Sequence, residues 1–260
     1  VTAQTLPIPE RLAQLDTITL HGGAHPNFND GHCALEVVAW LAGEPHTDRP
    51  ECTCPVIAAF GRTWNDALPN EDRDRLIRDL TPRMVGTRGT AEIQDRRAIR
   101  CADWAVRVHA PAWLRLAGLD DHADTLAGLD PLSTIGALQA ATSGPIAEAR
   151  QAAAAAWDAA GAAAGAAAWD AAGAAAWDAA GAAAGAAAWD AAGAAAWDAA
   201  GAAAWAAAWD AAGAAARDAA GAAAWDAARA AAWDALAPTV SHLQEEARLL
   251  VVELCEMSDR

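Results

Sequence analysis

The chain contains no tyrosine and no lysine, and only two phenylalanines and two methionines in 260 residues. All 18 cationic side chains are therefore arginines, set against 34 acidic residues for a net charge of −16. Nucleic-acid binding through the phosphate backbone needs a basic stripe to neutralise it, and no such stripe exists. The same sign of charge argues against adhesion to anionic lipid, so the acidity reads as a solvated surface. Outside a central repeat, no stretch of about 18 residues is both apolar and free of charge. Inside the repeat an Asp recurs every 8 or 12 residues. Each would cost roughly 2.5–3.5 kcal/mol at a bilayer centre, which argues against a membrane span. The opening stretch VTAQTLPIPERLAQL has neither a basic n-region nor an apolar h-region, so no secretory signal is read there. The five cysteines are odd in number and irregularly spaced. That is the pattern of reduced thiols, and it sets the expectation of a cytoplasmic protein.

What is present divides near residue 150. Up to that point the pattern is that of short helices separated by Pro, Gly and Asn. A weak strand candidate at 17–20 has no evident pairing partner. Asp30 is the expected N-cap of a helix carrying Leu35, Val38, Trp40 and Leu41 up to Gly43. Pro55 opens a helix with Val56, Ile57, Phe60 and Trp64 on one face. Asn70 caps a charged helix with the stripe Leu76, Ile77 and Leu80. Thr90 caps the longest helix, striped by Ile93, Cys101, Trp104, Ala105 and Val108 and bent or ended by Pro111. Two short helices, near 121–129 and 132–141, complete a domain large enough to fold around its own core. Arg96, Arg97 and Arg100 are expected to pair with the acidic helix near 71–79.

Ser143-Gly144-Pro145 starts a further helix, with Pro at N1 and Glu148 near the positive end of the dipole. From Trp157 every fourth residue is Trp, Gly or Arg, and Ala or Asp fills almost everything between. The unit WDAAGAAAGAAAWDAAGAAA occupies 157–176 and recurs identically at 177–196, with two diverged copies beginning at Trp197 and Arg217. Alanine and sheer length favour helix over most of 146–236, against nine glycines that each oppose it by roughly 1 kcal/mol. If unbroken, such a helix would be about 135 Å long. A four-residue step turns about 400°, so the marked position advances about 40° per tetrad and the nine Trp spiral around the axis. No single apolar face results, which excludes an ordinary amphipathic helix. Trp, Gly and Arg also interconvert by one base through TGG, GGG and CGG, and Ala and Asp through GCC and GAC. Slippage in a GC-rich repeat would therefore produce this alphabet without selection on Trp. After the repeat, Leu243, Ala247, Leu250, Val251 and Leu254 form one apolar stripe, behind a capping-box pattern at Ser241 to Gln244. A stripe this clean must be buried, on the N-terminal domain, the repeat or another subunit.

The segment GHCALEVVAWLAGEPHTDRPECTCPVIAAFGRTWNDAL, residues 31–68, resembles uncharacterised proteins of high-GC actinobacteria and their phages. In those, a helical N-terminal region precedes Ala-rich repeats of variable length. The resemblance implies a source and assigns no catalytic residue.

Two constellations could carry chemistry. His21, His25, His32, Cys33, His46, Cys52 and Cys54 fall within 34 residues. Cys33 (or His32) with His46, Cys52 and Cys54 would supply the soft ligands of a tetrahedral zinc. Against this, Cys52-Thr53-Cys54 is C-x-C rather than the usual C-x₂₋₄-C, and no second pair stands at the usual distance. Cys33 alone, near a helix start and beside His32, has the placement of an activated thiol, with His109 as the remote base. A buried, inert thiol is the ordinary alternative. Gly22-Gly23 and the loop 86–89 lack the Lys-Ser/Thr of a phosphate loop.

The expected class is all-α: a helical globular domain over 1–142, a tetrapeptide-repeat helical region or fold-back bundle over 143–237, and a C-terminal amphipathic helix over 238–260. The expected function is non-enzymatic, an interaction or scaffold protein. Its N-terminal domain would recognise a protein partner, and its repeat would serve as spacer or self-association surface. The alternative is a zinc- or cysteine-dependent enzyme in the N-terminal domain with the repeat as a neutral expansion. Ice binding is a weaker idea, because spiralling Trp and Asp spoil a flat face.

Overall fold

The computed structural model describes residues 5–156 and 234–258. The described residues are helical, with no strand among them. The chain divides into one unit made of 1–150 with 239–260, and a second made of 151–238. The first unit is therefore discontinuous in sequence, and the second is inserted into it. Within the repeat region only the flanks are described, and both are helical: 145–156, and a stretch from 234 that continues to 256. The expectations for 157–233, including the course of the helix and the burial of its tryptophans, lie outside the described residues.

In the first unit the helices are α1 (Pro9–Leu12), α2 (Ala34–Ala42), α3 (Pro55–Ala67), α4 (Asn70–Leu76), α5 (Thr81–Met84) and α6 (Ala91–Trp104). They continue as α7 (Ala110–Leu116), α8 (Asp120–Ala127) and α9 (Ile135–Ser143), and the first unit also holds residues 145–150 of a helix α10 (145–156) and 239–256 of a helix α11 (234–256). Helix α2 is the centre. Ala34, Leu35, Val37, Val38, Ala39 and Leu41 are all fully enclosed, so it is buried all round and packs against α1, α3 and α5. It stops at Gly43, whose φ of 77° is the left-handed C-cap that glycine adopts without a Cβ penalty.

The C-terminal stripe goes into this same core. Ala247, Leu250, Val251 and Leu254 join Leu35, Leu41, Ile57, Leu76 and Met84 in one hydrophobic cluster. Each fully buried aliphatic contributes about 1.5–3 kcal/mol. The expected helix start at Ser241 is not where the helix begins, since α11 runs through Pro238 and Ser241 without a break. Burying the stripe in a fixed register outweighs the local cap signal.

Three further expectations are corrected. The strand candidate at 17–20 is not a strand: Thr17 ends a 3₁₀ turn (Leu15–Thr17), 18–20 are irregular, and Leu20 gives its N–H to Asp74 Oδ1 at 2.8 Å. Arg96, Arg97 and Arg100 turn toward the C-terminal segment, not the acidic helix. Between α6 and α7 the backbone widens into a π turn over Ala105–His109, just before Pro111, which has no N–H to donate. The wide turn resets the helical register, and Ala105, expected inside, is exposed.

Candidate functional site

The densest polar chemistry of the first unit surrounds the N-terminus of α2. Cys33 is its N-cap, and Cys33 with Glu36 forms a capping box: the sulfur accepts from the Glu36 backbone, and Glu36 Oε2 accepts from the Cys33 N–H at 2.7 Å. Asn65 of α3 satisfies the next orphan donor, accepting the Ala34 N–H at 3.2 Å while its amide donates to the His21 carbonyl at 2.9 Å. Asp30, the expected cap, instead ends a 3₁₀ turn (Phe28–Asp30) capped by Asn27.

Glu36 is the hub. It is only 1% exposed, yet it accepts from the His25 N–H at 2.7 Å and from His25 Nδ1 at 2.9 Å, with His46 Nε2 3.4 Å away. Burial alone would raise its pKa. The backbone N–H groups of His25 and Cys33, with the His25 imidazole, outweigh that and hold the carboxyl below its ordinary value. Glu36 thus fastens the loop before α2 and the loop after it to the first turn of the central helix.

Around this hub stand four imidazoles. His32 stacks on Phe28 with ring centroids 4.2 Å apart, and Phe28 stacks on Trp40 at 5.1 Å. His21 meets His25 and His32 edge-on at 5.8 and 5.9 Å. His32 Nδ1 donates to the Phe28 carbonyl at 3.1 Å, and His46 Nε2 donates to the His25 carbonyl at 3.0 Å. The remaining ring nitrogens, His32 Nε2 and His46 Nδ1, are buried without a hydrogen-bond partner. Burial, then the neighbouring His21 and His25, keep the His32 pKa below the usual imidazole value despite the Phe28 carbonyl. A cavity of about 380 Å³ opens beside this group, lined by His21, Phe28, His32, Trp40 and the polar side chains of Gln14, Thr17 and Thr19.

The four residues expected to hold zinc each have other engagements. Cys33 caps α2, and His46 holds the Glu36 hub. Cys52 contacts the Thr53 hydroxyl at 3.7 Å, while its N–H is held by Glu44 at 2.7 Å. Cys54 is fully buried in the apolar cluster. As the side chains stand, no three His, Cys, Asp or Glu residues among those described form a ready metal-ligand set. Nor is Cys33 poised as a nucleophile. Burial pushes its thiol up to about 12, against some support from the backbone at Glu36. The ring of His109, its expected base, instead accepts from Trp113 Nε1 at 3.2 Å and lies against Trp104.

A second polar feature is built by the C-terminus. Arg97 is 3% exposed and spends its guanidinium on carbonyls: Nε to Leu254 at 2.8 Å, Nη2 to Met257 at 2.7 Å and Nη1 to Thr87 at 2.6 Å. A cation placed on the last carbonyls of α11 satisfies orphan acceptors and the negative end of the helix dipole together. Outside it, Arg75–Glu245, Asp79–Arg248, Arg100–Glu253 and Arg83–Glu256 pair across to the same helix. The adjoining cavity of about 970 Å³ carries Arg83, Arg88 and Arg97 against Glu44, Glu51 and Glu256, so its formal charges cancel.

Among the described residues no helix is long and apolar enough to cross a membrane. No protein-family model, curated protein or solved structure matches this chain.

Proposed function

We propose that the protein is a non-enzymatic interaction or scaffold protein whose inserted repeat is its self-association surface. The observation that carries this reading is the place of α11. A spacer separates two bodies, but here the chain after the repeat returns to the unit that precedes it. That favours an insertion displayed by one domain over a linker between two. The repeat sequence suits the role, because Gly and Ala every few residues allow close helix–helix approach and the interleaved Trp supply large apolar contact area.

Charge supports a protein partner over nucleic acid. Arg73, Arg75, Arg78, Arg97, Arg100 and Arg107 are all committed to groups of the same chain. All five cysteines are free thiols, which fits the proposed cytoplasmic location. A thiol enzyme is disfavoured by the buried, high-pKa Cys33.

The test is sedimentation of the full chain against a version in which 151–238 is replaced by a Gly/Ser linker. The full chain is expected to associate with rising concentration and the excised version to stay monomeric. A full chain that remains monomeric up to about 100 µM, far above a specific micromolar affinity, would overturn the proposal.

A further inference from the structure

We propose that the cavity beside Trp40 binds a small, uncharged heteroaromatic ring with N–H groups on its rim, a free base of the purine or pyrimidine kind. The site lies wholly in the first unit and is independent of what the repeat does.

The cavity measures about 380 Å³, at the lower end of the roughly 300–1,000 Å³ usual for small-molecule sites. Its two walls differ. One is the row of rings formed by His32, Phe28 and Trp40, and the other is the polar stretch carrying Gln14, Thr17 and Thr19. That stretch is fixed in place. Leu15, Ile18 and Leu20 are buried between its polar residues, and Arg78 Nη1 donates to the carbonyls of Asp16 and Ile18 at 3.1 and 3.0 Å. A wall already in position costs a ligand no ordering.

Charge is the first selector. No carboxylate and no guanidinium lines the cavity. Burial holds the His32 ring below the usual imidazole value, so it too is neutral at pH 7. An ionic ligand would leave water here without meeting a counter-charge, which is strongly unfavourable. Nucleotides, with their phosphates, are excluded along with other anions.

The packing of the rings selects shape. Phe28 stacks on His32 at 4.2 Å and on Trp40 at 5.1 Å, and those two make no ring contact with each other among the described residues. Both faces of Phe28 are therefore taken. Arg11 sits 5.5 Å over the Trp40 ring, held by its hydrogen bond to the Trp40 carbonyl, and His21 meets His32 at 89°. The row is covered at its ends and turns ring edges to the cavity. Edges are the positive part of the ring quadrupole and pair with the π-face of another ring in a T-shaped contact. A sugar is disfavoured, because its C–H groups carry the same sign as those edges.

The polar wall selects the rim. Gln14 Nε2 donates to the Glu10 carbonyl at 2.9 Å, and the Thr17 hydroxyl donates to the Gln14 carbonyl at 2.7 Å. With those hydrogens engaged, Gln14 Oε1 and the lone pairs of Thr17 Oγ1 remain as acceptors. Acceptors on this wall call for N–H groups on the ligand.

The experiment is a titration of the ¹⁵N-labelled full chain with adenine and with uracil, beside methyl glucoside as a neutral sugar and benzoate as a charged ring. The amide signals of 14–19 and the Trp40 indole signal are expected to move saturably with at least one of the two bases and with neither control. Q14A/T17V, at two exposed positions, is expected to weaken that binding about tenfold while signals elsewhere in the first unit stay in place. R75Q is expected to leave it unchanged. The site is overturned if neither base shifts 14–19 saturably up to about 10 mM. It is equally overturned if methyl glucoside or benzoate binds as well as the bases, or if base binding survives Q14A/T17V.

Discussion

Replacing Arg97 by Met keeps the aliphatic stem and removes the guanidinium that closes the first unit over its C-terminal helix. Three charge-assisted hydrogen bonds disappear, to the carbonyls of Leu254, Thr87 and Met257. Met257 is half-exposed and water can replace the donor there, whereas Thr87 is buried and the Leu254 bond is an interior one. Two stranded acceptors at about 1–3 kcal/mol each give a loss of about 2–6 kcal/mol. Relief from burying an unpaired cation returns part of it. The expected net is about 3 kcal/mol, or roughly 6–12 °C in Tm for a unit of this size. By contrast Arg75, half-exposed in its pair with Glu245, is expected to contribute at most about 1 kcal/mol. Hydrogen exchange read by mass spectrometry on peptides covering 243–256 and 31–42 isolates the first unit from the repeat. R97M should accelerate exchange in both peptides together, and R75Q in neither. Equal effects from the two variants, or R97M within about 0.5 kcal/mol of the parent, would refute the view that Arg97 clamps the helix end.

Other expectations follow from the same contacts. Leu254→Ala should cost about 2–5 kcal/mol by urea denaturation, because its side chain is fully enclosed in the shared core. E36Q should cost about 3 kcal/mol, since an amide turns one donor toward the N–H groups that the carboxylate now accepts; a midpoint unchanged by E36Q would remove Glu36 as the hub. Burial lowers the pKa of His109, so the unfolded chain takes up that proton first. Its stabilising contribution is therefore complete above pH 6.5 and declines as pH falls through and below that value. His32 titrates with the same sign, so the difference between denaturation midpoints at pH 7.5 and 5.5 should narrow in H109F without vanishing, and an unchanged pH difference would contradict the assignment. Glu36 acts with the same sign in a lower window, its contribution present above pH 4.5 and lost as pH falls through its depressed value.

Much of the helical skeleton could be read from periodicity. Pro55 and Thr90 mark the starts of α3 and α6 as expected, and Thr90 Oγ1 takes the Ile93 N–H. The stripe Leu243 to Leu254 is buried as its spacing requires. What it packs against was not legible, because an amphipathic face specifies burial and not the partner. The same gap hides the role of Arg97, since local charge points to the nearest acidic helix while two of its three acceptors are backbone carbonyls 157 and 160 positions away. The capping box was visible in outline, as Cys33-Ala34-Leu35-Glu36 has the S/T-x-x-E form with sulfur in place of a hydroxyl. Cys is not among the favoured N-cap residues, whereas Asp30 is of a favoured type. Asn65, whose role depends on an α3-to-α2 contact, carried no sequence signal at all.

The central claim is that residues 239–260 are part of the fold that begins at the N-terminus, and that 151–238 are inserted into it. Two chains decide it by hydrogen exchange in 31–42, the segment that includes the central helix. One ends at residue 150, and the other joins 150 to 239 through a Gly/Ser linker of about 12 residues, able to reach about 40 Å. The truncated chain loses Leu243, Ala247, Leu250, Val251 and Leu254 from its core, a sum comparable to the whole 5–15 kcal/mol stability of a domain. It should exchange at nearly unfolded rates, while the joined chain should be protected like the parent. Full protection in the chain ending at 150 would contradict the account.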